Sequence, residues 1–202
     1  MKKRKILLLG VKGLSTNIIY SHLSKDYEMQ VIIEKKLSRL KFYRKRVRKI
    51  GLIKVVGQLL FLVFIELVLK PLSKERVTTI YKNYNLIHKK IPSKLIYHVN
   101  SINSNSSIEY IKKSNAQIVI ISGTRIISSD VLAIKDKQFV NIHAGITPAY
   151  RGVHGGYWAL ANNDANNFGV TLHYVDKGVD TGRVIAQDCI KINNNDNFVT
   201  YP

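Results

Sequence analysis

The 202-residue chain is poor in acid: 13 Asp and Glu stand against 32 Lys and Arg, a formal net charge of +19. It has one cysteine, Cys189, so no internal disulfide can form. A lone thiol fits a reducing compartment and sets the expectation of a cytoplasmic protein. No G-x-S-x-G, C-x-x-C or H-E-x-x-H pattern occurs, which removes the common signatures of serine nucleophiles, dithiol chemistry and zinc hydrolysis. The basic start "MKKRKILLLGVKG" is followed by only about five apolar residues in a row, fewer than a signal peptide needs. The excess of positive charge favours phosphate-bearing partners: nucleic acid, anionic lipid or nucleotide-linked small molecules. A lysine-rich solvated surface, however, needs no partner at all.

What is present is an alternation of strand and helix patterns. "KILLL" (5–9) is a continuous apolar run of buried-strand length, closed by Gly10. "STNIIYSHLSK" has helical spacing, with Ser15 as its expected N-cap. "MQVIIE", "KLIYHVN", "AQIVIISG" and "QFVNIHAG" read as further strands, and "NSSIEYIKKSN" as a helix. The pattern predicts an α/β fold with a mostly parallel sheet and a single domain over 1–202. Gly10 and Gly13 in the first turn permit either a phosphate-facing backbone or simply a tight strand-to-helix turn.

Residues 35–71 stand apart as a helical insert. Lys35, Lys36, Arg39, Lys41, Arg44, Lys45, Arg46, Arg48, Lys49 and Lys54 precede "VVGQLLFLVFIELVL" (55–69). About 20 apolar residues are needed to span a bilayer, so this stretch reads as a buried or interfacial helix that Pro71 should stop. Basic and apolar segments side by side suggest peripheral contact with an anionic membrane. A helix packed on the sheet beside a solvated basic neighbour satisfies the same pattern.

The chemistry-bearing residues lie later. In "VNIHAGITPAYRG", Asn141 and His143 share one face of a strand. An amide N–H can hold a developing oxyanion, and an imidazole can move a proton. A carboxylate near the imidazole steadies its cation, and Asp180 in "KGVDTG" is the candidate. Such a site performs acyl transfer without metal or covalent nucleophile. Singly, Asn141 could just as well satisfy a turn and Asp180 cap one. His143, His154 and His173 are separated by 11 and 19 residues, which forms no compact metal motif.

"NIHAGITPAYRG" followed by "GVTLHYVDKGVDTG" resembles the catalytic core of the folate-dependent formyltransferases. That family includes enzymes acting on methionyl-tRNA, on phosphoribosylglycinamide and on amino sugars. The matching positions are Asn141, His143, Pro148, Gly152, Asp180 and Gly182, within about residues 115–190. The resemblance implies a Rossmann-like domain, with Asn141, His143 and Asp180 catalytic and 10-formyltetrahydrofolate as the donor. It places the folate between Gly123, Thr124, Arg125, Ile126 and Ile127 on one side and Val175, Asp176, Lys177, Gly178 and Val179 on the other. No metal is implied.

The loop "AGITPAYRG" departs from the "SLLP" of the tRNA and purine enzymes. With the charge and the bare domain, it leads to the expectation of a nucleotide-linked amino sugar as acceptor, in surface polysaccharide synthesis at the inner membrane face. Methionyl-tRNA and phosphoribosylglycinamide are the alternatives. A non-catalytic membrane- or nucleic-acid-binding relative is the alternative of another class. Stable nucleic acid binding is not expected, and a homodimer is compatible. Family members run on beyond "NNNDNFVTYP", so a truncated C-terminal side is expected, with Asp196 as the cap of a helix cut short.

Overall fold

The computed structural model describes residues 3–36 and 38–200; the side chains of Arg39 and Lys41 fall outside the description. The chain divides into two compact units, residues 1–35 with 87–191, and residues 36–86 with 192–202.

The first unit is built on a seven-stranded sheet. Its strands are β1 (Lys5–Val11), β2 (Glu28–Glu34), β3 (Ile96–Val99), β4 (Ile118–Ser122), β5 (Gln138–His143), β6 (Gly169–Tyr174) and β7 (Val184–Cys189). Their spatial order is β3-β2-β1-β4-β5-β6-β7. The first five are parallel, and β6 and β7 add an antiparallel edge. This is the predicted mostly parallel α/β sheet. The strand pairings explain why residues 6–9 are apolar throughout. Leu7 and Leu9 belong to one buried cluster with Ile32, Val119 and Phe139. Ile6 and Leu8 belong to another, with Val31, Met29 and Tyr20. A strand covered on both faces has no side left for polar residues.

Helix α1 (Leu14–Leu23) follows β1. Ser15 is not its N-cap. The cap position is Gly13, which makes no side-chain cap bond. The turn is instead tied by Thr16, whose Oγ1 donates to the Val11 carbonyl at 2.7 Å. Gly10 answers to the same residue, because a Cβ there would lie 2.7 Å from Thr16 Cγ2. Close approach of helix to strand therefore accounts for this glycine.

The second unit is helical. It contains α2 (Arg39–Ile50), α3 (Leu52–Leu72) and α4 (Lys74–Asn83). The apolar stretch is thus part of a 21-residue helix rather than a 15-residue one, and length alone does not keep it from spanning a bilayer. Pro71 does not end it. A π turn over Ile65–Leu69 precedes the proline, with Lys70 N–H donating to the Ile65 carbonyl. The wider turn relieves the clash that the ring would make with the carbonyl four residues back. Among the described residues no helix follows Asp196. Asp196 forms a two-pronged ion pair with Arg76, Oδ1 to Nε at 2.7 Å and Oδ2 to Nη2 at 3.0 Å. Phe198 packs edge-on against Phe61, with ring centroids 5.2 Å apart.

Helices α5 (Asn105–Lys113), α6 (Ser129–Leu132) and α7 (Gly155–Ala161) complete the first unit. Ser104 caps α5 by accepting from Ser107 N–H at 3.3 Å.

Candidate active site

The site is assembled by the register of β5 on β6. Asn141 lies opposite His173, and His143 opposite Thr171. Directly opposed residues of an antiparallel pair share a face, as do residues two apart on one strand. Asn141, His143, Thr171 and His173 therefore form one patch, two residues from each strand. The β6–β7 pairing slips between Leu172 and His173, beside this patch. Irregularities of this kind re-aim side chains and recur near functional sites.

Asp180 closes the patch from the loop between β6 and β7. Its backbone is left-handed, φ 50°, a conformation that Asp tolerates better than most residues. Its Oδ2 lies 3.4 Å from His143 Nδ1 and accepts the Gly152 N–H at 2.9 Å. Its Oδ1 lies 3.3 Å from His173 Nε2 and accepts from the Asn141 amide at 3.2 Å. One carboxylate thus links Asn141, His143 and His173.

Tautomers follow from the partners. His173 Nδ1 meets the Tyr174 carbonyl at 2.7 Å, which can only accept, so the proton sits on Nδ1. Nε2 then accepts the second Asn141 amide proton at 3.2 Å. The short His173–Asp180 distance is therefore bridged by the amide rather than by an ion pair. His143 is different. Its Nε2 donates to the Tyr150 carbonyl at 2.7 Å, while Nδ1 faces Asp180, another acceptor. Gaining a proton on Nδ1 would create a hydrogen bond where none is made without it.

The loop after β5 is fixed by similar means. Thr171, fully buried, donates to the Gly145 carbonyl at 2.7 Å and accepts the Thr147 N–H at 3.1 Å. Gly145 is obligatory, since a Cβ there would lie 2.8 Å from His143 Nε2. Tyr150 donates its hydroxyl to Asp164 at 2.9 Å. Hydrogen bonds from Asn167 and then from Tyr150 hold the Asp164 carboxyl below its usual range.

A cleft of about 360 Å³ opens over the patch. It is lined by Asn141, His143, His173 and Asp180, by Gly123 to Ile127, and by Val175, Asp176, Gly178 and Val179. Of the residues expected around the folate, Lys177 alone is not among the lining; its side chain is exposed. The 123–127 rim hangs on a buried carboxylate. Glu34, at the end of β2, accepts from Arg125 Nε at 2.6 Å, from Arg125 N–H at 3.1 Å and from Ile102 N–H at 2.7 Å. Asn103 adds a bond to the Ile126 carbonyl at 2.9 Å.

Sequence reasoning missed His173 as a member of this site, along with Thr171 and Glu34. The apolar-polar alternation of "GVTLHY" could have marked a strand facing β5, but only the register identifies which residue meets Asn141. Among the described residues, no group of three or more His, Cys, Asp or Glu is arranged to hold a metal ion.

A mostly parallel sheet, its central strands buried on both faces, with an amide, an imidazole and a carboxylate converging at the end of β5 defines an α/β protein equipped for acyl-type transfer. The formyl transferase family model matches residues 70–201, and the chain belongs to that family. A methionyl-tRNA formyltransferase from Agathobacter rectalis is 37% identical over 92 residues, which are 45% of this chain and 29% of that relative. The aligned stretch is thus under a third of that protein's length. Among solved structures, phosphoribosylglycinamide formyltransferase from Bacillus halodurans superposes with a TM-score of 0.57 at 20% identity, covering 96% of this chain and 84% of that one. A sugar N-formyltransferase from a Shewanella species gives 0.54 at 13% identity, covering 94% and 58%. These structural likenesses concern the fold.

Proposed function

We propose that the protein transfers a formyl group from 10-formyltetrahydrofolate to an amine, and that the acceptor is a nucleotide-linked amino sugar. The observation that carries the transfer is the convergence of Asn141, His143 and Asp180 on one cleft. The cleft suits the donor: Ile121, Ile126, Ile127, Val175 and Val179 give apolar walls for a flat ring system, beside the backbone of 123–127. The donor, when bound, supplies an activated formyl group.

The chain's own residues do the rest. The Asn141 amide holds two protons, shared in this structure between Asp180 and His173. Turned to the formyl oxygen, one of them stabilises the negative charge that develops as an amine attacks. His173 and Asp180 keep the amide oriented. The Asp180–His143 pair takes the proton that the amine loses, His143 gaining the hydrogen bond on Nδ1 described above. Glu34 holds the rim in place through Arg125.

The acceptor side supports a nucleotide-linked substrate. Arg151 adjoins the lining residues Gly152 to His154, and exposed Tyr157 and Trp158 follow on α7. A cation and two flat rings suit a phosphate and a base. The departure of "AGITPAYRG" from "SLLP" points the same way. The relationship to methionyl-tRNA formyltransferases keeps tRNA as the second reading.

The test supplies purified protein with 10-formyltetrahydrofolate and three acceptors: amino sugars linked to nucleoside diphosphates, methionyl-tRNA and phosphoribosylglycinamide. Mass spectrometry detects the N-formyl product. Formylation of the amino sugar is expected. Formylation confined to methionyl-tRNA would replace the acceptor, and no transfer to any amine would remove the activity.

A further inference from the structure

The most apolar 18-residue window of helix α3 has a mean hydropathy of 2.4, yet only 11% of it is buried. Ile53 is 88% exposed, Leu60 65% and Leu67 72%. Contiguous apolar surface of this extent marks a docking face. The helix has only one narrow polar stripe. Lys54, Gln58, Glu66 and Lys70 recur at multiples of four residues, a slanted line along one side. Glu66 and Lys70 neutralise one another at 2.6 Å. Gln58 accepts from Arg46 Nε at 2.6 Å, which ties the stripe to α2.

Helix α2 supplies the complementary charge. Arg44, Lys45, Arg46, Arg48 and Lys49 are exposed, and no acidic residue occurs between Lys35 and Lys54. An apolar rod beside a basic rod matches an acyl layer beneath anionic headgroups. Nucleic acid would match α2 and leave α3 uncovered. A second copy would cover α3 but bring two basic helices together.

At about 1.5 Å per residue the helix is long enough to cross a bilayer. Connectivity forbids it. β2 precedes the insert and β3 follows it, and the two pair in one sheet with Val31 opposite Ile96. One crossing would leave these neighbours on opposite sides of the membrane. The return stretch, "SKERVTTIYKNYNLIHKKIPSKL", is too polar for a second crossing.

We infer that α3 lies in the plane of an anionic membrane surface, its apolar sides in the acyl boundary and α2 on the headgroups. This contact is independent of the proposed formyl transfer.

The experiment is vesicle flotation of the full chain, with phosphatidylcholine alone or mixed with phosphatidylglycerol, at low and high salt. Binding to the anionic vesicles, weakened by salt, is expected. Leu60→Glu with Leu67→Glu, and separately Arg44→Glu with Arg48→Glu, should each lower it at least about tenfold. These side chains are exposed, and circular dichroism verifies that the variants fold. Absent binding, or equal binding to both vesicle types, overturns the inference. So does a lipid-free dimer that Leu60→Glu dissolves while vesicles are not bound. A fluorophore on Lys74→Cys in a Cys189→Ser background should remain open to an impermeant quencher outside the vesicle; protection there would mean that the helix crosses.

Discussion

Oδ1 of Asp180 lies 3.3 Å from Nε2 of His173, and the Asn141 amide nitrogen is 3.2 Å from both atoms. The amide has two protons and finds two acceptors. Its resting orientation is therefore set before any substrate arrives, and presenting one proton to the formyl oxygen gives up only one of these two bonds.

Asn141→Ala should lower kcat for formyl transfer by about 100-fold or more, the usual worth of one oxyanion donor. Donor affinity, measured by fluorescence titration, should barely change. Near wild-type turnover would exclude Asn141 from the mechanism.

His143 and Asp180 should behave as a unit. Residues that act together lose activity non-additively. The double variant His143→Ala, Asp180→Asn should be scarcely slower than the worse of the two single variants. Rate losses that multiply would show independent roles and defeat the shared proton-transfer step.

His173 should act through Asn141 rather than on the substrate. His173→Gln keeps bulk but alters the acceptor. A fall in kcat of roughly 10- to 100-fold with little change in KM fits a partner that orients a catalytic group, by analogy with outer partners of other sites. The effect should vanish in an Asn141→Ala background, which a general loss of stability would not do.

The central strands and the Asn141–His143 pair were legible because they rest on local periodicity. Apolar runs mark doubly covered strands, and a spacing of two places both side chains on one face. Asp180 was legible through family likeness, not geometry. His173 was not, since its role depends on a cross-strand register that no single segment encodes. The bounds of α3 failed for a different reason. Pro71 is a local stop signal, and the π turn that accommodates it leaves no composition signature. Ser15 misled because serine favours caps, whereas here the approach of Thr16 to Gly10 fixes the turn.

Glu34 should carry both stability and rim geometry. It is buried and satisfies two backbone N–H groups and the Arg125 side chain. Glu34→Ala should cost about 2–3 kcal/mol in urea unfolding, chiefly because the Ile102 and Arg125 N–H groups lose their acceptor, while the half-exposed Arg125 side chain can return to water. Glu34→Gln, which can still accept from backbone, should cost less. In both variants the KM for the donor should rise, because the 123–127 rim loses its anchor. An unchanged donor KM in a folded Glu34→Gln protein would separate the rim from donor binding.

The Arg76–Asp196 pair predicts an acid-sensitive segment. Hydrogen bonding from Arg76, opposed by burial, holds the Asp196 carboxyl below its ordinary range, and the same bond raises Arg76. A carboxylate depressed in the folded state binds its proton more weakly there than in the unfolded chain. Its contribution is therefore complete above the unfolded pKa of about 3.9, and it is lost as pH falls through the lower folded value. Asn197 Nδ2 donates to Ser73 Oγ at 2.7 Å and Phe198 packs on Phe61, so residues 192–200 are held at three points, one of them ionic. Hydrogen exchange over 192–200 should be pH-independent, after correction for intrinsic rates, from neutrality to about pH 5, and should accelerate below about pH 4. Asp196→Asn should show the accelerated exchange at neutral pH and no further acid step. A wild-type segment that stays equally protected through that acid range would mean that Asn197 and Phe198 hold it without the ion pair.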